Sequence, residues 1–428
     1  MSVLVWLKSD LRLQDNPVLR EALGSAACLP VYCLDPAEFV PDRHGITACG
    51  ARRTSFLLES LVDLHASLQQ LGSGLLVRIG SAERILPQLC AQLGIDRVVS
   101  HAEHAPYEQA LLDRVTAALP EGTQVMLRLS NALFALEDLP FTEEKLPQVF
   151  TRFRHQVEKY PPAIEALAAP EELPGWPAGA SDLVAGVPCI SDLGFTPLAQ
   201  EPRSSLPYSG GETAAKAWLD DYLWHSQAIR HYKSTRNQLH GRYFSSKLSA
   251  ALAHGCLSPR TVLLALRRHE ARFGANESTY WLWFELLWRE FFRLSLRLHG
   301  KRFFRRGGLH AGSPPTGHDQ RFNDWRNAAT GQPFIDACMT ELNASGFLSN
   351  RARQIVASYL VHDLQQDWRL GAAWFQQQLV DYDVASNWGN WAYIAGVGHD
   401  PRGGRVFNLA KQVEQHDPEG RYVAIWSR

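Results

Sequence analysis

Along the first 130 residues, short apolar or β-branched runs alternate with longer segments in which apolar positions recur at helical spacing. The short runs cover residues 3–7, 29–34, 75–79, 97–100 and 125–129. A short strand followed by a longer helix, repeated, is the rhythm of a parallel α/β sheet. Asn16 before Pro17 predicts a helix N-cap with proline in the first turn, and Phe56, Leu57, Leu61, Leu64 and Leu68 mark one face of a helix over 54–71. These features predict a parallel, Rossmann-like α/β domain over residues 1–130. From 161 to 207 the composition turns to Pro, Ala, Gly and Ser with weak periodicity. Residues 131–210 are therefore expected to connect two domains. After Gly211 almost every segment carries the helical period, so residues 211–428 are expected to form a large all-α domain.

A chain of 428 residues is long enough for two cores, and 45% hydrophobic with 20% charged residues excludes disordered and fibrous classes. Apolar stretches such as 282–287 are interrupted by charge well before the roughly 20 residues that span a bilayer. The N-terminus runs directly into Val3, Leu4 and Val5 without a basic region and cleavage site. No membrane association and a cytoplasmic location are expected. The seven cysteines are odd in number and form no CxxC pair, which argues for reduced thiols and against a disulfide framework or a metal site. A formal net charge of −1 requires any nucleic-acid site to be a local patch. Ten of the thirteen tryptophans lie after position 218, and some of them are candidates for stacking or redox work.

Glu285, Trp288, Arg289 and Phe292 stand at i, i+3, i+4 and i+7 and share one helical face. They read either as a carboxylate, a cation and aromatic surface on a cavity wall, or as an exposed Glu–Arg pair beside a core stripe; spacing alone favours the second. A further helix should begin near Ser349, with Asn350, Arg353 and Gln354 on one face, either aimed at a ligand or forming an N-cap region with an exposed arginine. Asp381 and Asp383 precede Ser386, Asn387, Trp388 and Trp391. Hard ligands are too few there for a divalent ion, whereas pairing with arginine, or hydrogen bonding to sugar hydroxyls and a heterocycle, fits. Ser245, Ser246, Lys247, Leu248 and Ser249 precede a helical stretch and suit a phosphate cradle. His101-Ala102-Glu103-His104 lacks the HExxH spacing and is expected to be a solvated loop.

Taken in order, Trp6 to Arg12 with Asp15-Asn16-Pro17, Ser246 to Ser249, Gly255 to Pro259, Glu285 to Phe291, Thr330-Gly331, Gly346 to Arg351 and Asp367 to Arg369 resemble the photolyase/cryptochrome family along nearly the whole chain. Lys8 stands where that family usually has Arg. Ser349-Asn350-Arg351 through Gln354, Asn387 to Trp391 and Asp417 to Gly420 are most similar to its DASH branch.

The resemblance implies FAD, folded into a U within the helical domain. Tyr232 and Ser245, Ser246, Lys247, Leu248 and Ser249 would hold its phosphates and ribityl chain. Arg353 paired with Asp381 would flank the isoalloxazine, with Arg289, Asn350 and Asp383 nearby and Asn387 beside N5. Glu285 would hydrogen-bond the carbonyls of a pyrimidine dimer, Trp288 and Tyr393 would contact the flipped bases, Gln354 would edge the pocket, and Arg236 and Gln412 would face DNA. The implied activity is light-driven repair of cyclobutane pyrimidine dimers by electron transfer from excited reduced flavin, preferentially in single-stranded DNA, in a monomeric protein. In the double-strand repairers an indole stands where this chain has Tyr393. A weaker platform matters because extruding a base costs a few kcal/mol, while each base–aromatic stack returns about 1–3 kcal/mol.

Trp391 and Trp368 match the inner two of the family's three electron-transfer tryptophans. The third position holds Pro315, which leaves the outer donor to another aromatic, such as Trp325 or a surface tyrosine, or makes photoreduction inefficient. The branch commonly carries a folate antenna of the methenyltetrahydrofolate type, but residues 101–108 match that site poorly. The competing role is a blue-light receptor that binds FAD and nucleic acid without efficient repair, since one fold serves both. Glu285, Trp288 and Arg236 favour the enzyme. Repair of (6-4) photoproducts would call for a histidine where Leu348 or Gln354 stands.

Overall fold

The computed structural model describes all residues except Ser181, Ala185, Ala311, Pro401, Arg402 and Arg428. Five strands, β1 (Ser2–Trp6), β2 (Ala27–Leu34), β3 (Leu76–Ile79), β4 (Arg97–His101) and β5 (Gln124–Arg128), pair in parallel in the order β3-β2-β1-β4-β5. Helices α1 (Pro17–Arg20), α2 (Ala51–Gln70), α3 (Ala82–Leu93) and α4 (Pro106–Ala118) fill the crossovers. The central strand reads as a continuous apolar run because both of its faces are covered: Val3 and Val5 enter one core, Leu4 and Trp6 another. Asn16 caps α1 as expected, its Oδ1 accepting from the amides of Val18 and Leu19 with Pro17 in the first turn.

Residues 101–104 depart from the expected solvated loop. His101 closes β4 and is buried, its Nδ1 accepting from the Ser130 amide at 3.0 Å, and Glu103 pairs with Lys8 at 3.2 Å. The strand runs one residue further than its β-branched core because β5 still pairs with it at Arg128.

Beyond Arg128 the described residues form helices and loops: α5 (Phe150–Lys159), α6 (Glu212–Asp220), α7 (Tyr232–Thr235), α8 (Ser249–His254), α9 (Pro259–Phe273), α10 (Glu277–His299), α11 (Gln320–Arg326), α12 (Pro333–Ser345), α13 (Asn350–Ser358), α14 (Trp368–Gln378), α15 (Val384–Ile394), α16 (Leu409–His416) and α17 (Arg421–Trp426). Among the described residues, no helix is long and apolar enough to cross a membrane. The stretch from 131 to 210 packs as well as connects. Phe134, Phe150, Phe153, Val157 and Leu173 are buried in the same cluster as Val3 and Val5 of the sheet and Leu286, Leu287 and Phe291 of α10. Sheet and helices therefore share one continuous core.

Helix α10 starts at a capping box, with Asn276 Oδ1 accepting from the amides of Ser278 and Thr279. Its 23 residues bury Leu286, Leu287, Phe291 and Leu294 on one side and leave Glu285, Trp288 and Arg289 partly exposed on another. The turn after β1 locks the two halves together. Arg12, fully buried, donates to Asn131 Oδ1 at 2.8 Å and to the carbonyls of Gly255 (2.9 Å), Asp15 (2.8 Å) and Ser130 (2.7 Å).

Gly255 ends α8 at φ +69, and a Cβ there would lie 1.9 Å from the Ser9 carbonyl oxygen. Neither the backbone conformation nor the space admits a side chain. Gly255→Ala is expected to destabilise the protein by at least about 2 kcal/mol and to lower its melting temperature by several degrees. An unchanged melting curve would show that the β1 turn does not bear on α8.

Candidate cofactor and substrate site

Two contiguous cavities open beside α10. Tyr232 and Ser245 to Leu248 line the inner one; Trp288, Gln354, Asn387, Trp391 and Tyr393 line the outer cleft; Arg236, Ser249, Glu285, Arg289, Asn350, Arg353, Asp381 and Asp383 line both. The cleft, at about 710 Å³, lies in the range of cofactor and ligand pockets, roughly 300–1,000 Å³.

The turn before α8 is held by its own neighbours. Trp218 Nε1 donates to the Ser246 carbonyl and Tyr208 Oη to the Lys247 carbonyl, both at 2.7 Å, and Lys247 adopts φ +51. The Lys247 ammonium is turned onto the carbonyls of Gly241 and Arg242. Burial, aided by Arg242, pushes its amine down to about 7. Lys247 thus shapes the wall of the cavity as much as it charges it. Behind this turn, Glu341 is fully buried; Tyr422 Oη donates to its Oε2 and its Oε1 has no partner. Burial pushes this carboxyl up to about 8 against the Tyr422 hydrogen bond, Arg353 and Lys247, so it is largely protonated at neutral pH.

Ser349 caps α13, its Oγ accepting from the Ala352 amide at 3.3 Å, so that Arg353 faces the cavity one turn on. Arg353 Nη2 spans both oxygens of Asp381 at 3.0 and 2.9 Å, while its Nε holds the Leu348 carbonyl at 2.8 Å. Asp383 caps α15 through the Ser386 amide at 2.8 Å and turns its other oxygen toward Arg289 at 3.8 Å. Asn387, one turn further along, is buried and donates from Nδ2 to the Ala372 carbonyl at 3.0 Å. The carboxylates of 381 and 383 are thus engaged by arginines and a helix cap. Among the described residues no group of three or more His, Cys, Asp or Glu is placed to hold a metal ion.

On α10 the simple picture of an exposed Glu285–Arg289 pair gives way. Glu285 reaches across the cavity mouth to Arg236 at 2.7 Å, while Arg289 donates to the Asn131 carbonyl at 2.9 Å. Burial raises the Glu285 carboxyl, and Arg236 opposes the rise. Trp288 lies flat on Phe150, ring centroids 3.7 Å apart and planes at 11°, and meets Tyr393 edge-on at 6.1 Å. Tyr393 Oη accepts from Arg405 Nη2 at 2.6 Å.

One residue expected to face DNA lies elsewhere: Gln412, on α16, lines neither cavity. Trp391 lines the cleft, with Phe375 at 5.1 Å and Trp325 at 6.2 Å; Trp368 is fully buried, 5.8 Å from Trp388. Trp325 is also fully buried, so it is not a surface donor. Conversely, Asn237 and Arg405 line the cleft without having stood out in the sequence, and Arg351, quoted there only as part of a motif, lines it too. Arg405 sits in the loop between α15 and α16 and carries no periodic or motif signal, so only the fold reveals it.

The donor set fits a flavin dinucleotide. Hydroxyls and cations line the inner cavity, aromatic rings and amides the cleft, and Gln354 Oε1 and Arg351 Nε are buried there without a protein partner. A parallel α/β layer fused to a helical body carrying such a pocket defines a nucleotide-cofactor protein. The family model for DNA photolyase matches residues 3–174, and that for the FAD binding domain of DNA photolyase matches residues 281–427. A "Cryptochrome DASH" from Gloeobacter violaceus is 44% identical over 428 residues, covering 99% of this chain and 85% of its own length. A solved cryptochrome from Synechocystis sp. superposes with TM-score 0.94 at 42% identity over 99% of this chain and 88% of its own. A bacterial class III photolyase from Agrobacterium tumefaciens gives TM-score 0.80 at 30% identity, with 99% and 86% coverage. The chain belongs to the photolyase/cryptochrome family, within its DASH branch, and its cofactor is FAD.

The neutral Glu341 has a pH signature. Its folded-state value lies above the ordinary 4.5, so the fold binds an extra proton between about 4.5 and about 8. The stability this carries is fully present below about 4.5 and is lost as pH rises through about 8. Glu341→Gln, which cannot ionise, is expected to gain in melting temperature relative to the parent as pH is raised across that window; parallel curves would show that Glu341 is charged in the fold.

Proposed function

We propose that this protein repairs cyclobutane pyrimidine dimers in DNA with light energy collected by FAD, and that its preferred substrate is single-stranded. The observation that carries the reading is the placement of Glu285 at the junction of the two cavities, flanked by the indole of Trp288, with Tyr393 edge-on to that ring across the cleft. FAD bound there in its reduced form would supply, on absorbing light, the electron chemistry that opens the dimer.

The protein's part is positioning and electrostatics. Tyr232 and the turn from Ser245 to Ser249 line the inner cavity and would hold the polar portion of FAD, while the Arg353–Asp381 pair and Asn387 would flank its ring system. A carboxyl can donate to a pyrimidine carbonyl only when protonated, and burial raises Glu285 toward that form. Trp288 and Tyr393 provide faces for two extruded bases. Tyr393, already tied to Arg405, offers a smaller platform than an indole. Extruding a lesion from a duplex costs a few kcal/mol that a single strand avoids, which supports the single-strand preference.

The deciding experiment is loss of a thymine dimer from a single-stranded oligonucleotide under near-UV or blue light, with reduced protein, beside a dark control and the matching duplex. Light-dependent repair of the single strand with little on the duplex is expected. Survival of both substrates with reduced FAD bound would favour the photoreceptor role that the relatives' name, cryptochrome, suggests. Glu285→Ala is expected to keep FAD bound and lower repair per absorbed photon about tenfold or more, as loss of one charge-stabilising donor does; an unchanged yield would remove Glu285 from the reaction. Binding to single strands should weaken with salt, with a log–log slope of about −0.7 per phosphate contacted, and a flat response would take DNA out of the account.

A further inference from the structure

Arg236 and Glu285 face one another at 2.7 Å where the inner cavity meets the cleft, their side chains 18% and 32% exposed. Neighbouring cations are held differently. Arg289 and Arg353 are each bonded to a main-chain carbonyl, of Asn131 and Leu348, and these bonds fix their place. Arg236 is held instead by side chains alone: it hydrogen-bonds the Tyr232 hydroxyl and lies 5.1 Å from the centroid of Trp281. Side-chain partners can move with it, where a main-chain carbonyl cannot. Arg236 opposes the effect of burial and favours the ionised carboxylate, which is an acceptor only. That form presents no hydrogen to a pyrimidine carbonyl.

We infer that Arg236 is a latch on Glu285, released when a backbone phosphate draws the guanidinium away, so that the site engages a dimer only when it is joined to charged phosphodiesters. The inference rests on the repair reading given above. A guanidinium prefers the two oxygens of a phosphate to one carboxylate oxygen, and the phosphate arrives with the substrate. Once uncovered, Glu285 lies in a site whose burial favours its neutral form, takes up a proton from the buffered bulk solvent and turns from acceptor to donor. The same residue thus reads the backbone and arms the carboxyl. Arg236 acts through Glu285 as a specificity-determining residue, and a dimer with neutral linkages would meet the latched site.

The test uses FAD-loaded protein in the dark, so that binding is read without turnover. The two ligands are a short single-stranded oligonucleotide holding a thymine dimer and the same oligonucleotide with uncharged methylphosphonate linkages at and beside the dimer. The parent protein should bind the charged ligand more tightly. In Arg236→Ala the charged ligand should weaken, whereas the neutral one should bind about two- to fivefold tighter than to the parent, the weight of a partly exposed ion pair that no longer has to be broken. An infrared band of a protonated carboxyl should appear when the parent binds the charged ligand and be missing in Glu285→Gln. Should Arg236→Ala fail to retain FAD, Arg236→Gln decides in the same assay. Neutral-ligand affinity that is equal to or weaker than the parent's in these variants overturns the latch. A parent protein that binds neither ligand would instead defeat the repair reading, and the latch with it.

Discussion

The placement of α10 against the turn at residues 130–133 is the constraint from which the rest of the site follows. The Asn131 carbonyl accepts from both Arg289 and Arg293, at 2.9 and 2.8 Å, the Asn131 side chain accepts from Arg12 at 2.8 Å, and Glu290 accepts from the Leu133 amide at 3.0 Å. These are charge-assisted bonds between buried or largely buried groups, about twice as strong as neutral ones and expensive to leave unmade. They set the axial position and rotation of the helix that carries Glu285, Trp288 and Arg289. A helix whose apolar stripe is shared with the sheet's own core cannot shift without opening that core.

The electrostatics of the cavity follow a simple economy of partners. Asp381 is taken up by Arg353, and Asp383 by a helix end and, at longer range, by Arg289. Glu341, given a tyrosine hydroxyl but no cation within bonding distance, escapes the burial penalty by staying protonated. Three acidic side chains in one neighbourhood thus end in different states for local reasons, and net charge alone would not have distinguished them.

Much of this was legible from residue pattern. The strands, the Asn16 cap and the start of α13 at Ser349 follow from local chemistry, because short-range hydrogen bonds and side-chain periodicity settle them. Ordered motifs then identified the family and its cofactor. What sequence could not supply was partnership across distance. Spacing coupled Glu285 to Arg289, yet the fold gives Glu285 to Arg236 from the turn that ends α7 and Arg289 to a backbone carbonyl. His101 looked like loop because its neighbours are polar, and only pairing with β5 makes it strand. Arg405 has no local signature at all; its role at Tyr393 exists because the loop after α15 folds back over the cleft, its amide bonded to the Ile394 carbonyl at 3.1 Å.

The two aromatic walls of the cleft are each tied down by a neighbouring side chain. Trp288 is backed by the flat face of Phe150, and Tyr393 is anchored at its hydroxyl by Arg405. Side chains so restrained have already given up their rotational freedom before anything enters. The entropy lost on association therefore falls on the incoming molecule, and the cleft ranks its ligands by how much freedom they themselves must surrender to lie between those rings.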